Sequence, residues 1–351
     1  MPVSGSGIIP ASGAIYNELS YLTRRAFVPK MVVQVYQASP TIATFLSNAQ
    51  SASGGVSPIT VPVQGGQFVK TAAAGYDGSF AAPQALQGAY NAEFNLGSIV
   101  TPIPFLGMES MVQINASVIP ILEARMNDAG NSQAEYYSLA LWNSDATSST
   151  NATDSFSNTI TYSGLDISGF PALFSATSTY GGLSRSSYSW FQPGIKSVSG
   201  SPAPTRASVL QYIISATKTN GGEMPNFGVT GMGTWSLLAQ DFLAQEYYTV
   251  GPGEGFDKTA GGVRAGFVAL VVGGVPIYCD PYATEGSFYF FNDKYACFYL
   301  HEDASFAFTG FASSLPNFQL GYVGAVVTLG QFVCMKPKAA TVVSGYSYNS
   351  I

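Results

Sequence analysis

Residues 115–142 read NASVIPILEARMNDAGNSQAEYYSLALW. Ile114, Val118, Leu122, Met126, Ala129, Tyr136 and Ala140 recur at intervals of three or four residues over much of this run, the period of one helix face. Pro120 is tolerated in a first helical turn. The regular helix is therefore expected to begin near residues 115–117, with Ser117 as its N-cap, and to reach about Trp142. At 1.5 Å per residue it would be a rod of roughly 35–40 Å.

The stretch before it has a different period. Ile59-Thr-Val-Pro-Val is strand-like, and Pro58 and Pro62 confine it to an edge or an extended arm. Tyr90, Ala92, Phe94 and Leu96 alternate with polar residues, which is the period of a strand with one covered face. Between them lies the small-residue tract AAAGYDGSFAAPQALQG. The expectation is a long β-hairpin with a soft tip. It has too few large apolar residues to bury both faces and so should pack on something outside its own domain. Further upstream, residues 1–30 read as a Gly- and Ser-rich arm. Val32 and Tyr36, then Ile42, Phe45 and Leu46, suggest two short helical pieces broken at Ser39-Pro40.

Downstream of the long helix the chain is first polar and loop-like. A helix is expected over 206–219, with Val209, Leu210, Ile213 and Ile214 on one side, and another over Thr234–Phe242. Strands are expected at Phe227–Met232, Phe267–Val272, Val275–Cys279, Phe288–Phe291, Ala296–Leu300, Phe306–Phe311 and Tyr322–Phe332. There is no internal repeat and no heptad array.

Charge is scarce throughout. Only 10% of the 351 residues are Asp, Glu, Lys or Arg, against about 25% in an ordinary soluble domain. Residues 31–69 and 304–335 carry none. A lone soluble domain needs a charged, patch-free surface, yet no run is long enough to span a bilayer. The best candidate, Ala265–Cys279, is short and broken by Gly266, Gly273, Gly274 and Pro276. Such a chain is expected to cover much of its surface with other protein. The net charge of −6 argues against a basic nucleic-acid surface, and Arg24, Arg25 and Lys30 are too few to reverse that. Cys279, Cys297 and Cys334 have no paired or metal-binding spacing and read as buried free thiols. The N-terminal residues lack a secretory signal.

Residues for catalysis do not gather. The single histidine, His301, stands in Leu300-His-Glu-Asp without a nucleophile motif, and neighbours on a strand point to opposite faces, so His301, Glu302 and Asp303 do not converge on a metal. Asp77 with Glu93, and Asp241 with Glu246, have no motif around them. The Gly-rich segments at 251–255 and 261–262 lack the lysine and helix of a phosphate loop. No catalytic, cofactor or metal residue is expected.

The order of elements carries a resemblance: arm, extended hairpin, long helix, mixed α/β region, terminal strands. So do three stretches: the hairpin with the helix Asn115–Trp142; Phe170-Pro-Ala-Leu-Phe followed by Tyr180-Gly-Gly-Leu-Ser-Arg-Ser-Ser-Tyr-Ser-Trp190; and Val272-Gly-Gly-Val-Pro-Ile-Tyr-Cys-Asp-Pro followed by Gly286-Ser-Phe-Tyr-Phe-Phe-Asn-Asp-Lys-Tyr. Over roughly residues 30–340 the chain resembles the major capsid proteins of tailed bacteriophages, with the HK97-type fold. The resemblance implies an α+β chain with an N-terminal arm (1–51), an extended hairpin or E-loop region (52–110), a spine helix and P-domain (111–205), an A-domain (206–290), and late strands returning to the P-domain with a C-terminal tail (291–351). It implies a structural coat protein, not an enzyme, that self-assembles as hexamers and pentamers into an icosahedral shell around double-stranded DNA, without sequence-specific contacts. Assembly in the host cytoplasm, residence in the virion, and scaffolding, portal and decoration proteins as further partners belong to the same expectation. The N-terminal residues show no long charged helical prefix, so a separate scaffolding protein, or none, is implied. Lys70 is the only lysine of the hairpin and hence its sole candidate for an inter-subunit crosslink. Two other readings remain: an encapsulin-like compartment, and a β-rich tail-associated or carbohydrate-binding phage protein.

Overall fold

The structure is a computed structural model that describes residues 39–52, 58–66, 68, 87–106, 121–145, 151–154, 156–162, 166–246, 263–264, 267–313 and 321–350. Along the chain the helices are α1 (Pro40–Ser47), α2 (Ile121–Asn143), α3 (Phe170–Leu173), α4 (Arg206–Thr219) and α5 (Met232–Glu246). The strands are β1 (Gln50–Ala52), β2 (Ile59–Gln64), β3 (Ala89–Phe94), β4 (Gly97–Leu106), β5 (Asn151–Thr153), β6 (Thr159–Thr161), β7 (Thr179–Tyr180), β8 (Leu183–Ser184), β9 (Gly194–Ser197) and β10 (Phe227–Thr230). They continue with β11 (Val263–Arg264), β12 (Phe267–Val268), β13 (Leu270–Val272), β14 (Val275–Cys279), β15 (Ser287–Phe291), β16 (Ala296–His301), β17 (Ala307–Phe308), β18 (Ala312–Ser313), β19 (Gly321–Cys334) and β20 (Thr341–Ser344).

Two compact units result. The larger, here the body, comprises residues 37–98, 137–305 and 329–351. Its main sheet has six strands in the order β13-β14-β10-β15-β20-β9. β15 lies inside the sheet, and all five of its residues are buried. A strand covered on both faces reads as an unbroken apolar run rather than an alternation, which is why Ser287-Phe-Tyr-Phe-Phe shows no polar face. Phe288 and Phe290 look one way, into a core with Val209 and Ile213 of α4, Leu238 of α5, Val272, Val275, Ile277, Val343 and Tyr346. Tyr289 and Phe291 look the other way, into an aromatic cluster. At its hub Phe45, fully buried, meets Phe332 at 5.2 Å, Phe291 at 5.5 Å, Phe227 at 5.7 Å and Phe170 at 6.2 Å between ring centroids, all edge-to-face. Such pairs add about 0.5–1.5 kcal/mol each beyond their area. In the second sheet of the body, β16 pairs with the last residues of β19, and β1 joins β16 in parallel.

The smaller unit includes residues 99–136 and 306–328. There β17 and β18 pair with the first part of β19, β4 also pairs with β19, and Gln133 of α2 donates a hydrogen bond to Thr328 Oγ1 at 2.9 Å.

Several sequence expectations are met. α4 spans 206–219 and β14 spans 275–279 as read, and α1 is the helical piece that follows Ser39. The long helix is described from Ile121 to Asn143, so its end agrees with the reading; Ser117 and the expected start lie outside the described residues. Its buried face differs. Met126, expected inside, is exposed, and residues 137–142 are buried all round. On α4, Val209 and Ile213 are core, but Ile214 is 62% exposed, because one extra residue around the helix turns it off the covered stripe. The expected strand Phe306–Phe311 shortens to β17, and Phe306 has a positive φ that breaks the extended run. β9 and β20, not expected as strands, complete the main sheet.

Candidate assembly surfaces

The titratable residues singled out in the sequence do not come together among the described residues. His301 ends β16, where its Nδ1 accepts the Asp303 N–H at 3.2 Å and caps a short 3-10 turn. Asp241 accepts the Arg206 N–H at 2.8 Å and so caps α4, while Asp77 lies outside the described residues. Burial pushes the Cys297 thiol up to about 11 and the Cys334 thiol up to about 12, the opposite of what a thiolate nucleophile needs. Among the described residues, no three His, Cys, Asp or Glu side chains converge to hold a metal. Lys70 and both Gly-rich segments lie outside the described residues. No helix among those described is long and apolar enough to cross a membrane.

Chemistry gives way to surfaces. The hairpin stem is the first. β2 and β3 form a two-stranded ribbon in register from Ile59↔Phe94 to Gln64↔Ala89. Alternation puts Ile59, Val61, Ala92 and Phe94 on one covered face. That face packs against the body's own segment 180–191, not only against something outside, as the sequence suggested. Phe94 lies edge-on to Tyr180 at 4.9 Å, Glu93 N–H donates to Gly181 O at 2.9 Å, and the Tyr90 ring packs tilted against Tyr188 and Trp190 at 5.0 and 5.2 Å. The segment is in turn fastened to the body. The Tyr180 hydroxyl accepts the Cys334 N–H at 3.0 Å. The fully buried Arg185 lies over the Tyr180 ring and donates from Nη1 to Ala172 O and Ser175 O at 2.8 and 2.7 Å. Burial holds the Arg185 guanidinium below its usual pKa range.

The second surface belongs to the smaller unit. β17, β18 and the start of β19 form a tongue with Phe306, Phe308, Phe311, Tyr322 and Val323 exposed. Phe308 and Phe311 meet edge-to-face at 5.0 Å. They lie over Gly324, where a Cβ would come within 2.7 Å of the Phe308 ring. The tongue lies within the charge-free stretch 304–335. Exposed apolar clusters of this sort mark interaction sites.

A third feature anchors the chain where it enters the body. Asp280, fully buried at the turn after β14, accepts Ser39 Oγ at 2.5 Å and the Thr41 N–H at 3.4 Å through Oδ2, and the Tyr282 N–H at 2.9 Å through Oδ1. Its carboxylate thus sits at the positive end of α1, and burial raises its pKa above the ordinary carboxylate range. The sequence reading gave Asp280 only as part of an Asp-Pro turn. No local signal could tie it to a helix 241 residues upstream.

No protein-family model matches the sequence, and a search of curated proteins finds no match. Solved structures do match. The cyanophage A-1(L) capsid asymmetric unit superposes with a TM-score of 0.66 at 15% identity, over 94% of this chain and 99% of that one. The holo-SrpI encapsulin complex from Synechococcus elongatus gives 0.57 at 9% identity, over 95% and 98%. The capsid of the native GTA particle gives 0.55 at 11%, over 95% and 99%. These are shell proteins, and the likeness runs nearly end to end in both partners. The chain has the α+β, HK97-type capsid fold.

Proposed function

We propose that this chain is the major coat subunit of a tailed-phage capsid, a structural protein and not an enzyme, assembling as hexamers and pentamers into a closed icosahedral shell around the genome. The observation that carries this reading is the joint one: a capsid fold matched over 94% of the chain, on a molecule with 10% charge and a charge-free tongue of exposed aromatics. Obligate interfaces bury on the order of 2,000–5,000 Å² and resemble a core cut in half. Subunits that meet in this way on many sides leave little surface that needs charge, and closed symmetry keeps such surfaces from forming open aggregates.

Within this reading the main sheet with α4 and α5 corresponds to the A-domain that meets neighbours around the symmetry axes, and the long helix with β4 and β19 to the P-domain. The hairpin extends over adjacent subunits. Lys70 is the hairpin residue available for a crosslink. Scaffolding, portal and decoration proteins are further partners, packaged DNA is held without sequence-specific contacts, and the shell is built in the host cytoplasm.

The encapsulin reading has its own support in the SrpI match, which lies between the two phage-type matches in TM-score. Contents separate the two. The chain is expressed alone and with a packaging phage background, and particles are purified, treated with nuclease and viewed by negative-stain electron microscopy. Closed shells that protect DNA support the coat reading. Closed shells that hold a defined protein cargo and no protected DNA support the encapsulin reading. A monomer that never assembles contradicts both.

A further inference from the structure

A groove of about 440 Å³ opens in the body beside the hairpin stem. β2 lines it with Val61–Gln64, and Trp190, Tyr295 and Met335–Lys338 supply most of the rest. Cavities of this size, walled by apolar and aromatic side chains with a few polar groups, are the usual seats of small ligands. The aromatic walls are held in place by the subunit itself. The half-buried Trp190 ring lies against Gly65, which leaves no room for a Cβ, and it is flanked by Tyr90 and Phe191 at 5.2 and 5.5 Å. The Tyr295 hydroxyl donates to Glu223 Oε1 at 3.0 Å.

Charge decides what kind of ligand fits. Lys336 is already engaged: its Nζ donates to Asn220 O and Glu223 Oε2, both at 3.1 Å, and lies over the Tyr295 ring. Lys294 faces the same carboxylate at 3.7 Å. One acid thus stands against two ammonium groups. Lys338, a third cation and part of the lining, has no hydrogen-bond or ion-pair partner among the described residues, and no acidic side chain among them lines the groove. An added peptide strand is a poor occupant. The Glu93 N–H leaves the ribbon for Gly181 O, so Thr60↔Glu93 is a non-bonded pair, and alternation makes Pro62↔Asn91 another. Pro62 therefore turns its nitrogen to the free edge of β2, with no hydrogen to offer a new strand.

We propose that this groove is a binding site for a planar apolar anion, an aromatic carboxylate, whose ring lies against Trp190 and Val61–Gln64 and whose acid group meets Lys338. Burial of the ring supplies the affinity, and the ammonium group selects the acid over a neutral analogue. Walls already in position keep the ordering cost low. The site belongs to the single subunit and stands whether or not subunits build a shell.

The test is isothermal titration of the full chain, kept below any assembly threshold, with 2-naphthoate and with its neutral analogue 2-naphthalenemethanol. Naphthoate is expected to bind saturably, one per subunit, and at least threefold more tightly than the alcohol. Lys338→Gln should weaken naphthoate at least threefold and leave the alcohol unchanged, whereas Trp190→Ala should weaken both. Phe308→Ser, which removes an exposed ring of the tongue, should alter neither. The proposal fails if naphthoate does not saturate, if the two probes bind the wild type equally, or if Phe308→Ser abolishes binding and so puts the probe on the tongue. Should Trp190→Ala fail to fold, Val63→Asp probes the same wall: its carboxylate should abolish naphthoate binding, and unchanged binding would overturn the proposal.

Discussion

The two units use the same residues for opposite ends. In the body, Phe45, Phe170, Phe291 and Phe332 are each at most 2% exposed; Phe45 meets Phe291 and Phe332, and Phe170 meets Phe332, edge-to-face, while Phe170 and Phe291 pack tilted. In the tongue, Phe308 is 40% and Tyr322 49% exposed, and Phe308 packs against Phe311 and Gly324. The body is a finished core. The tongue has the composition of a core and the exposure of a surface, which is what half of an interface looks like before its other half arrives. Aromatic content alone therefore does not separate folding from association; burial does.

The largest break in this comparison comes from the body. Phe45→Ala removes the hub of the aromatic cluster and should cost about 3–5 kcal/mol, read as a lowered urea midpoint. A second test weakens the anchor. Asp280→Ala strands the Ser39, Thr41 and Tyr282 donors and should cost about 1–3 kcal/mol.

The charge on Asp280 gives a sharper form of that test. Burial raises its pKa, so the folded chain binds this proton more tightly than the unfolded chain does. Its contribution to stability is then fully present below the ordinary carboxylate range, is lost as pH rises up to the raised value, and is flat above it. Urea midpoints between pH 4 and 8 should show this slope in the wild type and lack it in Asp280→Asn.

The tongue should behave the other way round. Phe308→Ser and Tyr322→Ser are expected to change subunit stability by about 1 kcal/mol or less. Each should raise the concentration needed for assembly at least tenfold, read by light scattering. A loss of folding equal to that of Phe45→Ala would show that the tongue is core after all. The smallest effect belongs to Ile214→Lys on the open side of α4, about 0.5 kcal/mol or less by the same denaturation.

Local pattern made much of the fold legible. Val209 and Ile213 repeat at helical spacing and mark α4, and Tyr90, Ala92 and Phe94 alternate and mark β3. Pattern failed where two patterns overlap or where nothing local decides. Ile214 adjoins Ile213 and looks equally apolar, yet the helix turns it to solvent. Thr341–Ser344 is too short to announce a strand, and its place beside β15 depends on a partner about fifty residues upstream. The contact of Trp190 with Gly65 and the bond of Asp280 to Ser39 join residues far apart in sequence. Both residues are visible in the sequence, but their partners are not. The exposed aromatic surface was legible only in outline, through the charge-free stretch 304–335, part of which is a tongue whose aromatics the structure shows uncovered.

The most direct test of this account is sedimentation velocity of the purified full chain over a hundredfold range of concentration. The account predicts that the 36.8 kDa subunit gives way to large closed particles above a threshold, and that Tyr322→Ser moves this threshold upward while its unfolding midpoint stays near that of the wild type. A single monomer boundary at every concentration, with Tyr322→Ser indistinguishable from it, would contradict the claim that the exposed aromatics exist for association.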